Sequence, residues 1–297
     1  AIASACQECG ARLPKKIVVI PEQHTKNKFY LESLETLVGI LSAASIETRV
    51  GQLQPESPDA LSIDAGVLRV GTFVPDMIVL NNDFSAGYPP ELDGVTQPIL
   101  PSHRLGWHTR RKSSFFGFYN ELAEEYSRLL DLDPWLLQVR TTRVEPVDFS
   151  EGIGIDRVQE AVADLLRDLS AKYAEHRVNR KPFVFIKNNS GTYGMGIMTV
   201  HDASELSQLN RRTKNKMSVG KGGHSITSVV VQEGVPTGTV VDRMVAEPVI
   251  YMFGSDPAGG FLRTHEERSD EENLNSPGMV FRKLCLTDFH ALLHPDN

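Results

Sequence analysis

Apolar positions in the first third of the chain follow two periods. "KKIVVIPE" (15–22) is a short unbroken apolar run, β-branched and ended by Pro21, which predicts a buried strand. "KFYLESLETLVGILSAAS" (28–45) sets Phe29, Leu31, Leu34, Leu37, Val38 and Leu41 at helical spacing. "IETRVGQL" (46–53) alternates as a strand does, and "DMIVLNND" (76–83) is a second buried-type strand running into a polar turn. Residues 51–75 read as a polar, proline-containing excursion. Strands alternating with a helix predict a parallel α/β domain over 1–105.

The middle of the chain changes character. Residues 97–130 begin as a short strand, pass a Pro/Gly/Trp turn and enter a helix near Lys112, with Ser113 or Ser114 near its N-cap. Asp133-Pro134 opens a short helix, and 154–176 is an amphipathic one, so 106–180 reads as a helical connection. Strands are predicted thereafter at 183–187, 195–200, 226–232, 245–251, 260–264 and 278–285. A helix at 202–210, capped by Asp202, interrupts them. This gives two β-rich segments, 181–235 and 236–297.

Composition narrows the function classes. The 297 residues are 40% hydrophobic and 23% charged, the balance of a globular chain with a sizeable core. A net charge of −7 argues against nucleic-acid binding. No apolar run approaches the ~20 residues that span a bilayer, and the N-terminus lacks signal-peptide features. Three sparse cysteines fit a reducing cytoplasm. Cys6 and Cys9 form a C-x-x-C without the second ligand pair that a zinc site needs. The opening "AIASACQECG" reads as the end of a helix and the closing "LHPDN" follows a strand, so residues completing the fold are expected beyond both ends.

The candidate chemistry centres on "FVFIKNNSGTYGMGIMTV" (183–200), a strand, a lysine, three glycines and a second strand. A P-loop and a dinucleotide fingerprint both open a helix; here Gly196 leads into a strand. The stretch therefore reads as a hairpin flap. Gly191, Gly194 and Gly196 let the backbone approach an anion, Thr192 lies in the same loop, Tyr193 and Met195 are placed to cover the site, and Lys187 supplies positive charge. A glycine turn with a surface lysine is the plainer reading. Further features support a nucleotide. "SVVVQEGV" (228–235) ends a strand in Gln232-Glu233, placed to meet adenine and ribose. Arg263 and His265 share one face of a return strand, and His265 is a candidate substrate contact. "DEENLNSPG" (270–278) offers carboxylates and carboxamides of the kind that hold Mg²⁺. Basic Arg110, Arg111 and Lys112 stand at a helix start, which favours anions but equally suits a solvated turn. In the first domain Asn81, Asn82, Asp83 and His24 are candidate substrate contacts at strand ends, where α/β sheets bind ligands. A turn that caps its own backbone is the alternative there.

The order of lysine, helix, strand lysine, glycine flap, Gln-Glu strand, arginine hairpin and Glu/Asn loop resembles the ATP-grasp superfamily. "KNNSGTYGMGIMTV", "VQEGV", "AEPVIYM", "ENLNSPGM" and "LNNDFSAG" resemble the proteobacterial glutamate–cysteine ligases, over about Ile17 to Leu284. The resemblance implies an α/β (α+β) fold: an N-terminal parallel domain followed by two β-rich lobes enclosing ATP. It also implies ATP- and Mg²⁺-dependent joining of the glutamate γ-carboxylate to the cysteine amine through an acyl phosphate. By position it assigns Lys112 and Lys187 to ATP, Gly191, Gly194 and Gly196 to the flap, Gln232 and Glu233 to adenine and ribose, Arg263 to the transferring phosphoryl group, and Glu272 and Asn275 to the metal. One departure stands out: Lys187-Asn188-Asn189 occurs where the family pattern implies Lys-x-Asp. If that carboxylate only orients the loop, Asn189→Asp leaves activity equal or higher. A carboxylate–amine ligase with other substrates and a non-catalytic nucleotide-binding module are the competing readings. Kinase-like phosphotransfer fits poorly without His-Arg-Asp or Asp-Phe-Gly segments.

Overall fold

The computed structural model describes Ile2, Cys6 and residues 12–22, 27–85, 87–191, 194–220, 223–253 and 256–284. The chain divides into two compact units, Ala1–Arg110 and Arg111–Asn297.

In the first unit, strand β1 (Lys16–Pro21) pairs in parallel with β2 (Glu47–Val50) and β5 (Met77–Asn81), and β5 pairs in parallel with β6 (Ile99–Leu100). Alternation along β1 sends Ile17 and Val19 to one face and Val18 and Ile20 to the other. Helix α1 (Lys28–Ala43), whose first turn Asn27 caps at Phe29 N (3.0 Å), covers the Ile17 face with Leu34 and Leu41. The Val18 face is covered by a hairpin within the stretch expected to be a polar, proline-containing excursion: β3 (Leu61–Asp64) and β4 (Val67–Val70), which brings in Leu68 and Val70. Its tight turn uses Ala65 at φ 48° and Gly66 at φ 78°.

The second unit holds two antiparallel sheets. In the first, β10 (Val229–Glu233) lies between β7 (Thr141–Val144) and β8 (Val184–Asn188), with β9 (Ile197–Val200) outside β8. Strand β7 falls inside the stretch that the sequence predicted as a helical connection. Helix α3 (Ile155–Glu175) lays Val158, Val162, Leu165 and Leu169 over this sheet, in one core with Val184, Ile186, Val229 and Val231. The predicted helix at 202–210 is a 3₁₀ segment, Ala203–Gln208, closed by an Asp202/Glu205 capping box. It is followed by α4 (Arg211–Ser218), which the strongly polar sequence did not reveal. The second sheet runs β11 (Val240–Val241), β12 (Met244–Phe253), β13 (Asp256–His265) and β14 (Val280–Leu284). The observed class is α/β with a parallel sheet and separate antiparallel sheets, as predicted.

Helix α2 (Lys112–Leu130) buries only Ala123 and Ser127. Phe115, Phe118, Leu122, Tyr126 and Leu129 form a stripe at helical spacing and are 62, 71, 65, 56 and 80% exposed. The helix is tied down by polar contacts instead. Tyr119 Oη donates to Leu137 O (2.8 Å), and the Asn120 amide bonds Val139 at both its O and its N (2.9 Å each).

Candidate active site

Within the second unit, β8 and β9 form the hairpin expected from the glycine-rich stretch. Lys187 on β8 sits opposite Val230 and donates Nζ to the Gln232 Oε1 of β10 at 2.7 Å. The Gln232 amide passes on to Thr141 Oγ1 (2.9 Å), so a residue only 2% exposed has both ends satisfied. Burial holds the Lys187 ammonium down at about 8, against the pull of Glu247 in the other direction. Lys112 opens α2 and donates Nζ to Asn188 O (2.8 Å) and Gly191 O (2.6 Å). Burial, reinforced by Lys187, lowers it to about 8 as well. The two lysines assigned to ATP therefore lie close enough to repel, one on the floor of the flap and one under its first glycine. Neither is neutralised by a carboxylate hydrogen bond among the described residues.

The asparagine pair is the joint of this arrangement. Asn189, 2% exposed, accepts from Ser113 N at Oδ1 (2.9 Å) and donates Nδ2 to Ser228 Oγ (3.1 Å). Its backbone O takes the Lys112 N–H (2.9 Å) and its N–H reaches Ser228 O (3.0 Å). The first turn of α2 is thus capped from outside the helix. Arg111 is the N-cap residue and its side chain makes no capping bond; Ser113 and Ser114 stand beside it in the first turn. Asn188 turns its Oδ1 to Ser190 N (3.1 Å) and shapes the flap entry.

The glycines have separate reasons. Gly194 lies at φ 71°, and a Cβ there would stand 2.7 Å from Asn275 O and 2.8 Å from Asn273 Nδ2. At Gly196, φ 63°, it would meet Ile226 Cδ1 at 2.6 Å. At Gly191 it would press on the Asn188 side chain at 2.8 Å. The flap therefore closes onto the Asn273–Asn275 loop. Thr192 and Tyr193 lie outside the described residues; Met195 is 40% exposed.

A cavity of about 300 Å³ lies beside the flap, lined by Lys187, Gln232, Glu233, Glu247, Glu272 and Asn273, with Val235 from the stretch after β10. Glu233 accepts from Trp135 Nε1 (2.8 Å) and from Arg140 N (3.3 Å), and burial raises its carboxyl above the usual range. Trp135 and Glu247 were not singled out in the sequence. Trp135 follows the Asp133-Pro134 turn, and Glu247 stands opposite Arg263 on β12. Arg263 Nη1 meets Glu247 Oε2 at 3.1 Å, while its buried Nε has no hydrogen-bond partner among the described residues.

The acidic loop is pre-paired with guanidinium groups: Arg180 with Asp270 (2.7 Å) and Glu271 (3.2 Å), and Arg268 with Glu272. The Ser269 backbone N–H, and then Arg268, keep Glu272 below the usual carboxylate range and hence ionised. Glu272 and Asn273 also line a second, wider cleft of about 950 Å³, where Asn275 joins them. His265 is buried and spent on the backbone. Its Nδ1 accepts from Glu267 N (3.2 Å), so Nε2 carries the proton and donates to Pro277 O (2.9 Å). It clips the acidic loop and does not line either cavity.

In the first unit the strand-end candidates are engaged in their own turn. Asn82 Nδ2 donates to Pro21 O and its Oδ1 accepts from Phe84 N (2.9 Å each), Asp83 Oδ1 takes Ser85 N (3.0 Å), and Asn81 O accepts from Tyr30 Oη (3.0 Å). His24 lies outside the described residues.

Among the described residues, the His, Cys, Asp and Glu side chains that converge closely enough to share a cation are Asp133, Glu175 and His176. That place is taken by the Lys172 ammonium, 2.7 Å from Asp133 and 2.9 Å from Glu175. Around the cavity, the fit to Mg²⁺ rests on donor chemistry. Ionised Glu272, the Glu247 carboxylate and the Asn273 carboxamide are hard oxygen donors among the lining residues, and Mg²⁺ commonly takes few protein ligands beside phosphate and water.

The family model for glutamate-cysteine ligase matches residues 1–297. A crystal structure of a protein assigned as a gamma-glutamylcysteine synthetase from Methylobacillus flagellatus KT is 38% identical, with a TM-score of 0.80 over 96% of this chain and 70% of that one. D-alanyl-alanine synthetase A from Vibrio cholerae O1 biovar eltor str. N16961 is 13% identical over 92% of this chain and 74% of that one, with a TM-score of 0.46. That likeness is too distant to bear on the assignment. No curated protein matches the chain. With its full length matched by the family model, the chain belongs to the glutamate-cysteine ligase family and is an ATP-using ligase.

Proposed function

We propose that the second unit holds ATP in the 300 Å³ cavity, with Lys187 and Lys112 toward the phosphates and the glycine flap over them. The observation that carries this is the pair of buried lysines beside the glycine loop, both held at about 8 by burial and one of them bonded to Gly191 O. Burying two like charges is costly unless an anion is to come between them. Gln232 orients Lys187, and Val235 with the Glu233 strand end lines the space for the base. The carboxylate of Glu233 serves Trp135 and Arg140 in this geometry, so its support for ribose binding is positional only. Arg263 does not line the cavity but is ion-paired with Glu247, which does, and its proposed part toward charge on the transferring phosphoryl group rests on the family resemblance.

In this reading the glutamate γ-carboxylate takes the γ-phosphoryl of ATP, the cysteine amine attacks the resulting acyl phosphate, and phosphate leaves. Glu272, Glu247 and Asn273, with Asn275 at the edge, would hold Mg²⁺, which when bound neutralises charge on the phosphates. The chain's own part is to orient: Lys187 and Lys112 fix the phosphates, and the flap excludes water from the activated carboxyl group. The substrates are small molecules. No described helix is long and apolar enough to cross a membrane, which fits a cytoplasmic biosynthetic enzyme.

The test is ADP release by the purified chain with Mg-ATP and L-glutamate, with and without L-cysteine. Release that requires both amino acids, and is abolished in Lys187→Ala, is expected. No release from a chain that still binds ATP refutes the substrate pair.

A further inference from the structure

Helix α2 turns its apolar stripe away from its own unit. It buries Ala123 and Ser127, while Phe115, Phe118, Leu122, Tyr126 and Leu129 lie open on the adjoining face. Tyr119, whose ring stacks on Phe115 with centroids 6.0 Å apart, and Leu130 are also exposed there. Together they widen the face to roughly 120° of the helix, the width that a helix ordinarily gives to a core. At about 150–250 Å² for a ring and somewhat less for a leucine, the exposed fractions leave roughly 800 Å² of side chain in the open. The largest apolar patch of a monomer is commonly about 300–600 Å². A stable association buries about 800 Å² on each partner. The open area is therefore that of one half of an interface.

The spacing of the stripe identifies the other half. Counted from Leu122, its members fall at −7, −4, 0, +4 and +7, so the row reads the same in both directions. A two-fold axis through Leu122 sets an identical helix antiparallel to the first. Phe115 then meets Leu129 of the second copy, Phe118 meets Tyr126, and Leu122 meets its own counterpart. This arrangement opposes the two helix dipoles and closes on itself at two copies. Its aromatic, charge-poor centre is of the kind found in homodimers. A membrane surface fits less well, because the polar side of α2 carries Glu121, Glu124 and Glu125, with Arg128 already paired to Glu124. Anionic lipids repel that charge. We propose that α2 is a dimer interface, packed antiparallel about Leu122 on the α2 of a second copy of this chain. The proposal does not depend on the ligase reading.

Sedimentation equilibrium of the purified chain over about 1–100 µM tests it, since interfaces of this size hold at micromolar concentrations or below. A dimer is expected. Leu122→Glu sets two carboxylates face to face on the axis and should raise the dimer Kd at least about hundredfold. Circular dichroism should stay unchanged, because Leu122 is open in the single chain. Register is read by cysteine pairing under mild oxidation, with the unsubstituted chain as background. Leu122→Cys should cross-link to itself. Phe115→Cys should cross-link to Leu129→Cys when the two are mixed, and not to itself. A wild-type chain that is monomeric at about 100 µM overturns the proposal, as does a dimer that Leu122→Glu leaves intact. Monomers that bind phospholipid vesicles assign the stripe to a membrane and overturn it as well.

Discussion

Asn189 offers the sharpest test of how the site is held together. Replacing it with alanine deletes two side-chain bonds, Oδ1 with Ser113 N at 2.9 Å and Nδ2 with Ser228 Oγ at 3.1 Å. The first is a helix cap, worth about 1 kcal/mol. Its loss also leaves a part-buried amide unsatisfied, at about 1–3 kcal/mol. A local cost of about 2–3 kcal/mol follows, since the two figures overlap. Aspartate keeps the acceptor and gains roughly 0.3–1 kcal/mol from the helix N-terminus. It gives up the donor to Ser228, whose hydroxyl also bonds Glu145, so the two changes nearly cancel. Hydrogen exchange over the peptide covering residues 111–118 reads the cap directly. Alanine should speed exchange at Ser113 by at least about thirtyfold, since 1.4 kcal/mol is tenfold. Lys112, whose N–H rests on Asn189 O, should then bind ATP more weakly. Asn189→Asp should exchange, and release ADP, within about twofold of the wild type. If aspartate proves as damaging as alanine, the donor to Ser228 rather than the cap is what matters, and the reasoning fails.

Other expectations follow from the same geometry. Lys112 and Lys187 lose their protons near 8 in the free protein, so ATP affinity should fall as pH rises above about 8, and binding there should take up protons, measurable by calorimetry in two buffers. The folded state binds fewer protons than the unfolded one between about 8 and the ordinary lysine value of 10.5, so these two groups make the protein more stable as pH rises through that window. Urea midpoints in Lys187→Met, compared across pH 8 and 10, should show part of that gain removed. Gly194→Ala must adopt φ 71° and push a Cβ to 2.7 Å from Asn275 O, so KM for ATP should rise about tenfold with little loss of the fold; an unchanged KM argues against flap closure on this loop. Gly234→Ala brings a Cβ to 2.3 Å from the Phe183 ring and should lower the melting temperature through overpacking of about 1–3 kcal/mol, without a specific effect on ATP.

Much of the fold was legible because its strands are apolar and its helices periodic. Ile17–Ile20, Met77–Leu80 and Val229–Val231 could hardly be anything but buried strands, and α3 carries its stripe openly. The β3–β4 hairpin was missed because its strands are only four residues long and lie within a polar, proline-containing stretch, too short a run for alternation to stand out. Strand β7, "TTRV", becomes a strand by pairing with β10, a tertiary fact that local propensity does not carry. Likewise Lys187 and the flap glycines were readable from spacing. The roles of Asn189, Trp135 and Glu247 depend on partners 76, 98 and 16 residues away in sequence. His265 was a candidate substrate contact on the strand face of Arg263, yet it holds a loop through two backbone bonds.

Helix α2 has a consequence for the bench. With Phe115, Phe118, Leu122, Tyr126 and Leu129 in one open row, the single folded chain already displays the surface that solvatochromic dyes seek in unfolded chains. At dilutions where the chain is single, such a dye would glow before heating begins and flatten the melting curve. The variants above are therefore better compared by circular dichroism, and binding of the single chain to hydrophobic resins should be strong even when it is fully folded.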